Sequence, residues 1–194
     1  VIRLPDLQYF TINNLKIEMD PTSPGGFMGI HIMGSGHHIT LSNNEVDMKT
    51  ETSTLFGAFV ASGSEASILE TGTFHNLTFA DNKVTGGGYG VSVFGLVTDL
   101  ATNIVISGNQ FFDFNSNGVY LRETTGAAVH DNFFNKSAGA GGVANGIQVA
   151  QTANMNTSIY NNYFKMSQAN GGLRAIYLFA GTGHKVYNNV ITDI

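Results

Sequence analysis

The stretch Ile106–Leu121 reads ISGNQFFDFNSNGVYL and holds two short motifs that recur along the chain. The Asn motif, Ile106–Phe111, begins and ends with an apolar residue. Between them lie two variable residues, then an Asn, then one more variable residue. In the Gly motif, Gly118–Leu121, a Gly precedes an apolar, a variable and another apolar residue. The Asn motif recurs, with Leu15 replacing Asn in the first copy, at Ile12–Ile17, Leu41–Val46, Phe79–Val84, Val129–Phe134, Ile159–Phe164 and Val186–Ile191. The Gly motif recurs, with Ala replacing Gly in the last copy, at Gly29–Ile32, Gly57–Val60, Gly90–Val93, Gly146–Val149 and Ala175–Leu178.

The two motifs share one period. Successive Gly motifs begin 28 to 33 residues apart, and periods of about 20 to 50 residues are typical of solenoids and propellers. Each motif alternates apolar and variable residues and is rich in Val, Ile, Phe and Tyr, which is typical of a short strand. A propeller blade needs a repeat of about 40 to 45 residues and hairpin turns, and no hairpin signal recurs here. We therefore predict an all-β fold, a single-stranded parallel β-helix of about six to seven turns of roughly 28 residues.

The Asn position marks a corner of the predicted coil. The preceding residue is Asn, Asp or Gly in the six copies that contain the Asn, and these residue types tolerate the left-handed backbone conformation that a sharp change of direction needs. Equivalent asparagines on successive turns would lie about 4.8 Å apart, so each side-chain amide can donate to one neighbour and accept from the other. We predict that this structural ladder comprises Asn44, Asn82, Asn109, Asn132, Asn162 and Asn189.

The interleaved motifs resemble the repeats of the pectate-lyase-like proteins. The resemblance covers about residues 10 to 194, and it implies the right-handed form of the parallel β-helix. Lyases, hydrolases, epimerases, phage tail spikes and adhesins share this architecture, so it implies no single function.

The composition favours a protein that works outside the cytoplasm. Charged residues make up 12% of the 194 residues and Cys is absent, whereas the usual charged share is about 25%. A surface of Asn, Thr, Ser and Gly is typical of secreted or cell-surface proteins, and we predict such a location in a bacterium or phage. The net charge of −5 with scattered Lys and Arg excludes a basic nucleic-acid site, and no apolar run is long enough for membrane insertion.

The unbroken repeat predicts one β-helix domain over residues 1–194. A solenoid needs end caps that cover its exposed core and strand edges. Neither end of the sequence shows such a cap, so we expect further domains in the same chain.

The variable position of the Gly motif is predicted to point outward. In the proteins that the sequence resembles, the corresponding strand face forms a saccharide groove. Aromatic rings suit stacking on sugar rings, and Gln, Ser and His supply hydrogen bonds. We predict a polysaccharide or a cell-surface glycan as the partner of this row, which contains His31, Phe59, Ser92, Tyr120, Gln148 and Tyr177.

Two interpretations of the function remain open. The first is a non-catalytic adhesin-like stalk or carbohydrate-binding module. The alternative is a polysaccharide lyase, which needs a base and a cation beside the substrate carboxylate, or a glycoside hydrolase, which needs two carboxyl groups about 5 to 9.5 Å apart. The candidates for catalysis are Arg122, Glu123 and Asp99. The paired Asp and Gly-His-Gly of polygalacturonases and the Asp-Pro-His-Asp of alginate epimerases are absent from the sequence.

The sequence offers one candidate metal site. Glu18 and Asp47 occupy equivalent positions on adjacent predicted turns, with Glu45 nearby, and grouped carboxylates are suitable calcium ligands. Lys16, predicted to stack beside Glu45, favours a surface ion network instead. The six His residues fall in different rows without zinc spacing. We therefore predict no cofactor, with calcium as the alternative.

The segment Ala61–His75 breaks the regular step of the repeat. An inserted loop on one turn of a solenoid often carries a specific function. Its Ser, Gly, Glu and Thr content fits a flexible excursion equally well, and both interpretations stay open at this point.

Overall fold

The computed structural model describes residues 2–20, 28–49, 56–65, 68–137, 143–151, 153, 155–167 and 172–193, and the regular elements within these ranges are all β-strands. Among these residues there is no helix that could cross a membrane. One sheet of fourteen strands contains β1 (Ile2–Asn13), β3 (Ile30–Ser42), β5 (Gly57–Ser62), β6 (Thr73–Ala80), β8 (Tyr89–Phe94), β9 (Ala101–Thr102), β10 (Val105–Ser107), β12 (Asn117–Arg122), β13 (Thr124–Thr125), β14 (Ala128–His130), β16 (Ala144–Ala150), β17 (Ser158–Tyr160), β19 (Leu173–Leu178) and β20 (Lys185–Tyr187). The second sheet of seven strands contains β2 (Lys16–Glu18), β4 (Glu45–Asp47), β7 (Lys83–Thr85), β11 (Gln110–Phe112), β15 (Phe133–Lys136), β18 (Tyr163–Met166) and β21 (Val190–Thr192).

These strands coil into a parallel β-helix, which confirms the predicted fold class. The coil has about six turns of about 29 residues, and its course is consistent with the right-handed form. Each turn contributes to three faces. The Gly-led face contains the strands β19-β16-β12-β8-β5-β3 in that order. The pre-corner face contains β3-β6-β10-β14-β17-β20 in that order. The post-corner face is the seven-stranded sheet. The long strands β1 and β3 bend from the Gly-led face onto the pre-corner face and so join the first two faces into one sheet.

The asparagines of the Asn motif form a hydrogen-bonded ladder between the pre-corner and post-corner faces. Asn82 Nδ2 donates to Asn109 Oδ1 at 3.0 Å, and Asn109 Nδ2 donates to Asn132 Oδ1 at 3.0 Å. The residues that precede the ladder positions have φ values from 54° to 67°, as the turn requires. Buried amides therefore satisfy one another along the coil axis. The ladder comprises Asn44, Asn82, Asn109, Asn132, Asn162 and Asn189.

Close packing inside each turn explains why the two motifs keep one phase. The buried rings of Phe111, Phe134 and Phe164 stack on the post-corner face, with centroids 5.0 Å and 4.7 Å apart. A Cβ atom on Gly118 would lie 2.6 Å from two atoms of the Phe134 ring and 2.8 Å from the carbonyl oxygen of Gly146. A Gly is therefore required where the Gly-led strand crosses a Phe of its own turn.

The predicted register is wrong by one residue at β5. Ile30 pairs with Phe59 and Phe59 pairs with Val91, so Ala58, not Gly57, occupies the position of the leading Gly. Phe59 consequently points inward, is fully buried and packs 6.2 Å from the ring of Phe79. By the same register Ala58 lies level with Val84, where the later turns have Phe.

Candidate functional sites

The outward row of the Gly-led face differs in one member from the row predicted. The pairing aligns His31, Val60 and Ser92 with one another, and continues through Tyr120, Gln148 and Tyr177. Val60 thus takes the place predicted for Phe59, which lies in the core for the reason given above. Phe59 is therefore removed from the candidate binding residues.

The segment after β5 covers one half of this row. Ile68 is buried and packs with Val60 and Tyr89, and Tyr120 lies against the same cluster. His31 and Ser92 are fully buried beneath this part of the molecule. The described part of the predicted insertion therefore packs on the outward row at Val60, while its residues 66 and 67 lie outside the described residues.

His31 is a buried side chain. Its Nε2 lies 2.7 Å from Ser62 Oγ, and the ring is fully buried. Burial, together with the charge of Arg3, lowers the pKa of His31 below its usual value. A buried imidazole with this environment serves packing rather than the contact with a glycan that the sequence predicts.

The other half of the row is open. Asn145 Nδ2 donates to Gln148 Oε1 at 3.0 Å, and the Arg174 guanidinium lies 4.5 Å from the centroid of the Tyr177 ring. Phe179 is 60% exposed and contacts Tyr177 edge-on. The open patch, defined as Gln148, Arg174, Tyr177 and Phe179, combines an amide, a cation and flat rings, and the buried Asn145 holds the amide of Gln148. Asn145 and Arg174 were not predicted from the sequence, although each directly precedes the first residue of a Gly motif.

The three candidates for catalysis contact different partners. Asp99 Oδ1 lies 3.6 Å from His75 Nε2, whereas Glu123 is buried and its Oε2 accepts a hydrogen bond from the Ala153 backbone N–H at 3.2 Å. Arg122 Nη1 donates to the Leu69 carbonyl at 3.5 Å. The three groups therefore contact different parts of the fold, and the lyase or hydrolase interpretation gains no catalytic arrangement from them.

The predicted acidic row is an ion network. Glu18 Oε1 lies 2.8 Å from Lys16 Nζ, Asp47 Oδ2 lies 2.8 Å from Lys49 Nζ, and Glu45 Oε1 lies 3.1 Å from Lys83 Nζ. The hydrogen bond from Lys16, with the charges of Lys16 and Lys49, lowers the pKa of Glu18. Each carboxylate that was a candidate calcium ligand thus has a lysine partner.

A pair of imidazoles lies where the Gly-led face bends into the pre-corner face. His37 of β3 pairs with His75 of β6, and their ring centroids are 5.3 Å apart. His75 Nδ1 lies 2.8 Å from Thr102 Oγ1, and its Nε2 faces Asp99. Sequence analysis placed the histidines in separate rows because the segment Ala61–His75 disturbs the repeat between them.

The comparison with known families adds the decisive observation. Residues 8–187 match the model of the family described as "Periplasmic copper-binding protein (NosD)". The chain belongs to the NosD family. Membership in this family supports a β-helix protein that lies in the cell envelope, outside the cytoplasm. This location is less specific than the predicted secreted or cell-surface one. A search of curated proteins found no match.

The prediction of no cofactor, or calcium as the alternative, is wrong in light of this match. The NosD family is described as copper-binding. No group of three or more His, Cys, Asp or Glu side chains that could hold a metal ion occurs among the described residues. Imidazole nitrogen is a favoured donor for copper, and the rings of His37 and His75 are in contact across adjacent strands.

Proposed function

We propose that this NosD-family chain binds a copper ion at the bend that carries His37 and His75. The observation that supports the proposal is the contact of two partly exposed imidazoles on adjacent turns, with centroids 5.3 Å apart. Nitrogen donors bind divalent copper more tightly than the other divalent metals of the first transition row. The printed family description agrees with this choice of metal.

The chain's own residues would hold the ion without a dedicated cage. The two rings supply nitrogen donors, and the nearby carboxylate of Asp99 supplies negative charge. The Asp99 side chain is 52% exposed and the His75 side chain is 22% exposed, so an ion can reach the two imidazoles from solvent. A copper ion bound in this way can be held and released, which suits a carrier or store more than a buried structural site.

Titration of the folded protein with Cu²⁺, followed by calorimetry, tests the proposal. We expect binding of one Cu²⁺ per chain, with Ca²⁺ giving no binding at the same concentration because imidazole is a poor ligand for this oxygen-seeking ion. Absence of Cu²⁺ binding, or equal binding of Ca²⁺, would overturn the proposal. The unfolded chain in denaturant is the control for binding by isolated histidines.

A second candidate function is saccharide binding, as an adhesin-like stalk or carbohydrate-binding module, and the open patch favours it. Tyr177 and Phe179 present aromatic rings at an outer face, and Arg174 and Gln148 supply a cation and an amide. Such a combination suits a sugar ring that carries hydroxyl or carboxylate groups. The partner under this proposal is a polysaccharide or cell-surface glycan.

Replacement of Phe179 by Ala is expected to weaken binding of an acidic polysaccharide by about tenfold, since loss of one aromatic contact of about 1.4 kcal/mol has this effect. Affinity electrophoresis against a panel of acidic and neutral polysaccharides measures the change. Tyr163→Ala is the matched control, because Tyr163 is also an exposed aromatic residue, at 41%, but lies on the post-corner face. Equal effects of the two substitutions would contradict a site at the open patch, and unsaturated products or new reducing ends would favour the enzyme interpretation.

A further inference from the structure

We infer that the segment after β5 is a strap that acid releases from the Gly-led face, with His31 as the group that takes up the proton. The strap is defined by its described residues, 63–65 and 68–72. It lies in another part of the molecule than the proposed copper and saccharide sites, so its test is independent of both.

The strap contacts the outward row of the Gly-led face on both sides of His31. The backbone pairing makes Arg3, His31 and Val60 neighbours in this row. Arg3 forms an ion pair with Glu65 of the strap, and Val60 packs with Ile68 of the strap. A side chain at an outward position is buried where another part of the chain lies over it. We therefore attribute the complete burial of His31 to the strap and to the Arg3 side chain paired with it.

The hydrogen bonds of His31 suit an uncharged ring. Its Nε2 lies 2.7 Å from Oγ of Ser62, the last residue before the strap. The Ser62 hydroxyl donates to the Ser64 carbonyl at 3.4 Å, so its oxygen can accept from an Nε2–H. His31 Nδ1 is buried and has no hydrogen-bond partner among the described residues. The Nε2–H tautomer leaves only a lone pair at this unpartnered atom.

A second proton on the His31 ring would have no acceptor. It would add to Nδ1 and create both a buried N–H without a partner and a buried positive charge. Among the described residues, the charged groups that act on the ring are Arg3, which repels an imidazolium, and Glu65, which attracts it but is paired with Arg3. Burial, followed by the charge of Arg3, lowers the pKa of His31 below its usual value. Protonation therefore favours a state in which the strap is displaced and the ring reaches water.

The direction of the pH dependence follows from this linkage. With the strap released, His31 is solvated and has its ordinary pKa of about 6.5, whereas with the strap in place its pKa is lower. The closed state is fully favoured above the ordinary pKa and loses stability as the pH falls from that value to the lowered one. Uptake of one proton increases the ratio of released to closed strap by up to about tenfold for each pH unit in this window.

Release of the strap would expose apolar and aromatic surface. Ile68 of the strap packs with Val60 and Tyr89, and Tyr120 lies against the same cluster. Tyr120 pairs with Gln148 of the open patch. Acid would thus lengthen the accessible part of the outward row from the open patch toward β5.

Hydrogen exchange of the whole chain, corrected for the pH dependence of the intrinsic exchange rate, measures the release. The Gly63 N–H donates to the Glu70 carbonyl and the Gly72 N–H to the Phe94 carbonyl, so both are protected while the strap is in place. From about pH 7.5 to about pH 5 we expect their protection to fall about tenfold, while the Asn109 N–H in the ladder keeps its protection. Unchanged protection of the strap, or an equal loss at Asn109, would overturn the inference.

Three variants assign the release to one side chain. In His31→Gln no titratable group remains at this position, so we expect equal strap protection at the two pH values. His130→Gln is the control, because His130 is also a partly buried histidine, 22% exposed, but lies beside Asp131 on the pre-corner face. We expect it to behave like the unaltered protein. A pH dependence that persists in His31→Gln, or that disappears in His130→Gln, would contradict the assignment.

Glu65→Gln tests whether acid acts on the ion pair with Arg3 instead. Ion pairs as exposed as this one contribute little to stability. We therefore expect the strap of this variant to stay protected at about pH 7.5 and to keep its pH dependence. A strap already released at that pH would assign the switch to Glu65 and overturn the role of His31.

Proton NMR of the unaltered protein provides a test that needs no variant. The titration of the His31 ring is expected to coincide with the loss of strap protection. Titration of His31 without that loss would overturn the inference, even if denaturant unfolding showed that His31→Gln does not fold.

Discussion

Gly118→Ala is expected to destabilise the protein by about 3 kcal/mol, the upper end of the usual cost of overpacking a core. The added methyl group would lie 2.6 Å from the Phe134 ring, which already stacks with the rings of Phe111 and Phe164. It would also lie 2.8 Å from the Gly146 carbonyl oxygen, which is backbone of the next turn and cannot rotate away. Relief therefore requires the two turns to move apart.

Denaturant unfolding of the Gly118→Ala variant, with Gly172→Ala as the control, measures this loss of stability. Among the described residues a Cβ atom on Gly172 would meet only Val143, at 3.5 Å, so its replacement is expected to change the stability little. Equal midpoints for the two variants would contradict the packing explanation. The double variant Gly118→Ala/Phe134→Val places Ala and Val at the positions that Ala58 and Val84 occupy two turns earlier. Its loss of unfolding free energy is expected to be smaller than the sum of the losses in the two single variants.

Asn132→Ala is expected to destabilise the protein by about 3 to 5 kcal/mol, because each buried group left without a partner costs about 1 to 3 kcal/mol. Asn132 Oδ1 accepts from the Asn109 N–H at 2.9 Å and from Asn109 Nδ2 at 3.0 Å. Its Nδ2 donates to the Ile106 carbonyl at 2.9 Å and to Asn162 Oδ1 at 3.0 Å. Truncation would break the ladder and leave these groups buried in its middle.

The matched control is Asn135→Ala in the same strand. The Asn135 side chain points outward from β15 and has no recorded side-chain hydrogen bond among the described residues, so its loss is expected to change the stability by less than about 0.5 kcal/mol. Chemical unfolding, monitored by circular dichroism, compares the two variants. If Asn132→Ala lowers the free energy of unfolding by less than about 1 kcal/mol, the ladder contributes little more to stability than an ordinary surface turn does.

The fold was predictable because its signals are local and repeated. The apolar residues at the corner recur in all seven copies and the Asn recurs in six of them, so one copy supports the interpretation of the next. The error at β5 has a physical cause. Gly57 matches the pattern of a leading Gly, but the pairing with the neighbouring turns places Ala58 at that position, level with Val84 where the later turns have Phe. The size of a partner on another face is not visible within a four-residue motif.

The candidate sites were less predictable because they depend on the irregular turn. The segment after β5 packs Ile68 against Val60 and Tyr89 on the Gly-led face, and the repeat contains no signal for that contact. The same segment lengthens the step from His37 to His75, which hides their pairing. The open patch was partly predictable, since Gln148 and Tyr177 occupy the outward position of a regular repeat.

Electron paramagnetic resonance of the protein loaded with one equivalent of Cu²⁺ tests copper binding at the histidine pair most directly. We predict couplings from the nitrogens of two imidazoles in the unaltered protein and in His130→Gln, and their loss in the double variant His37→Gln/His75→Gln. A spectrum of unbound copper in the unaltered protein, or identical spectra for it and the double variant, would contradict the assignment.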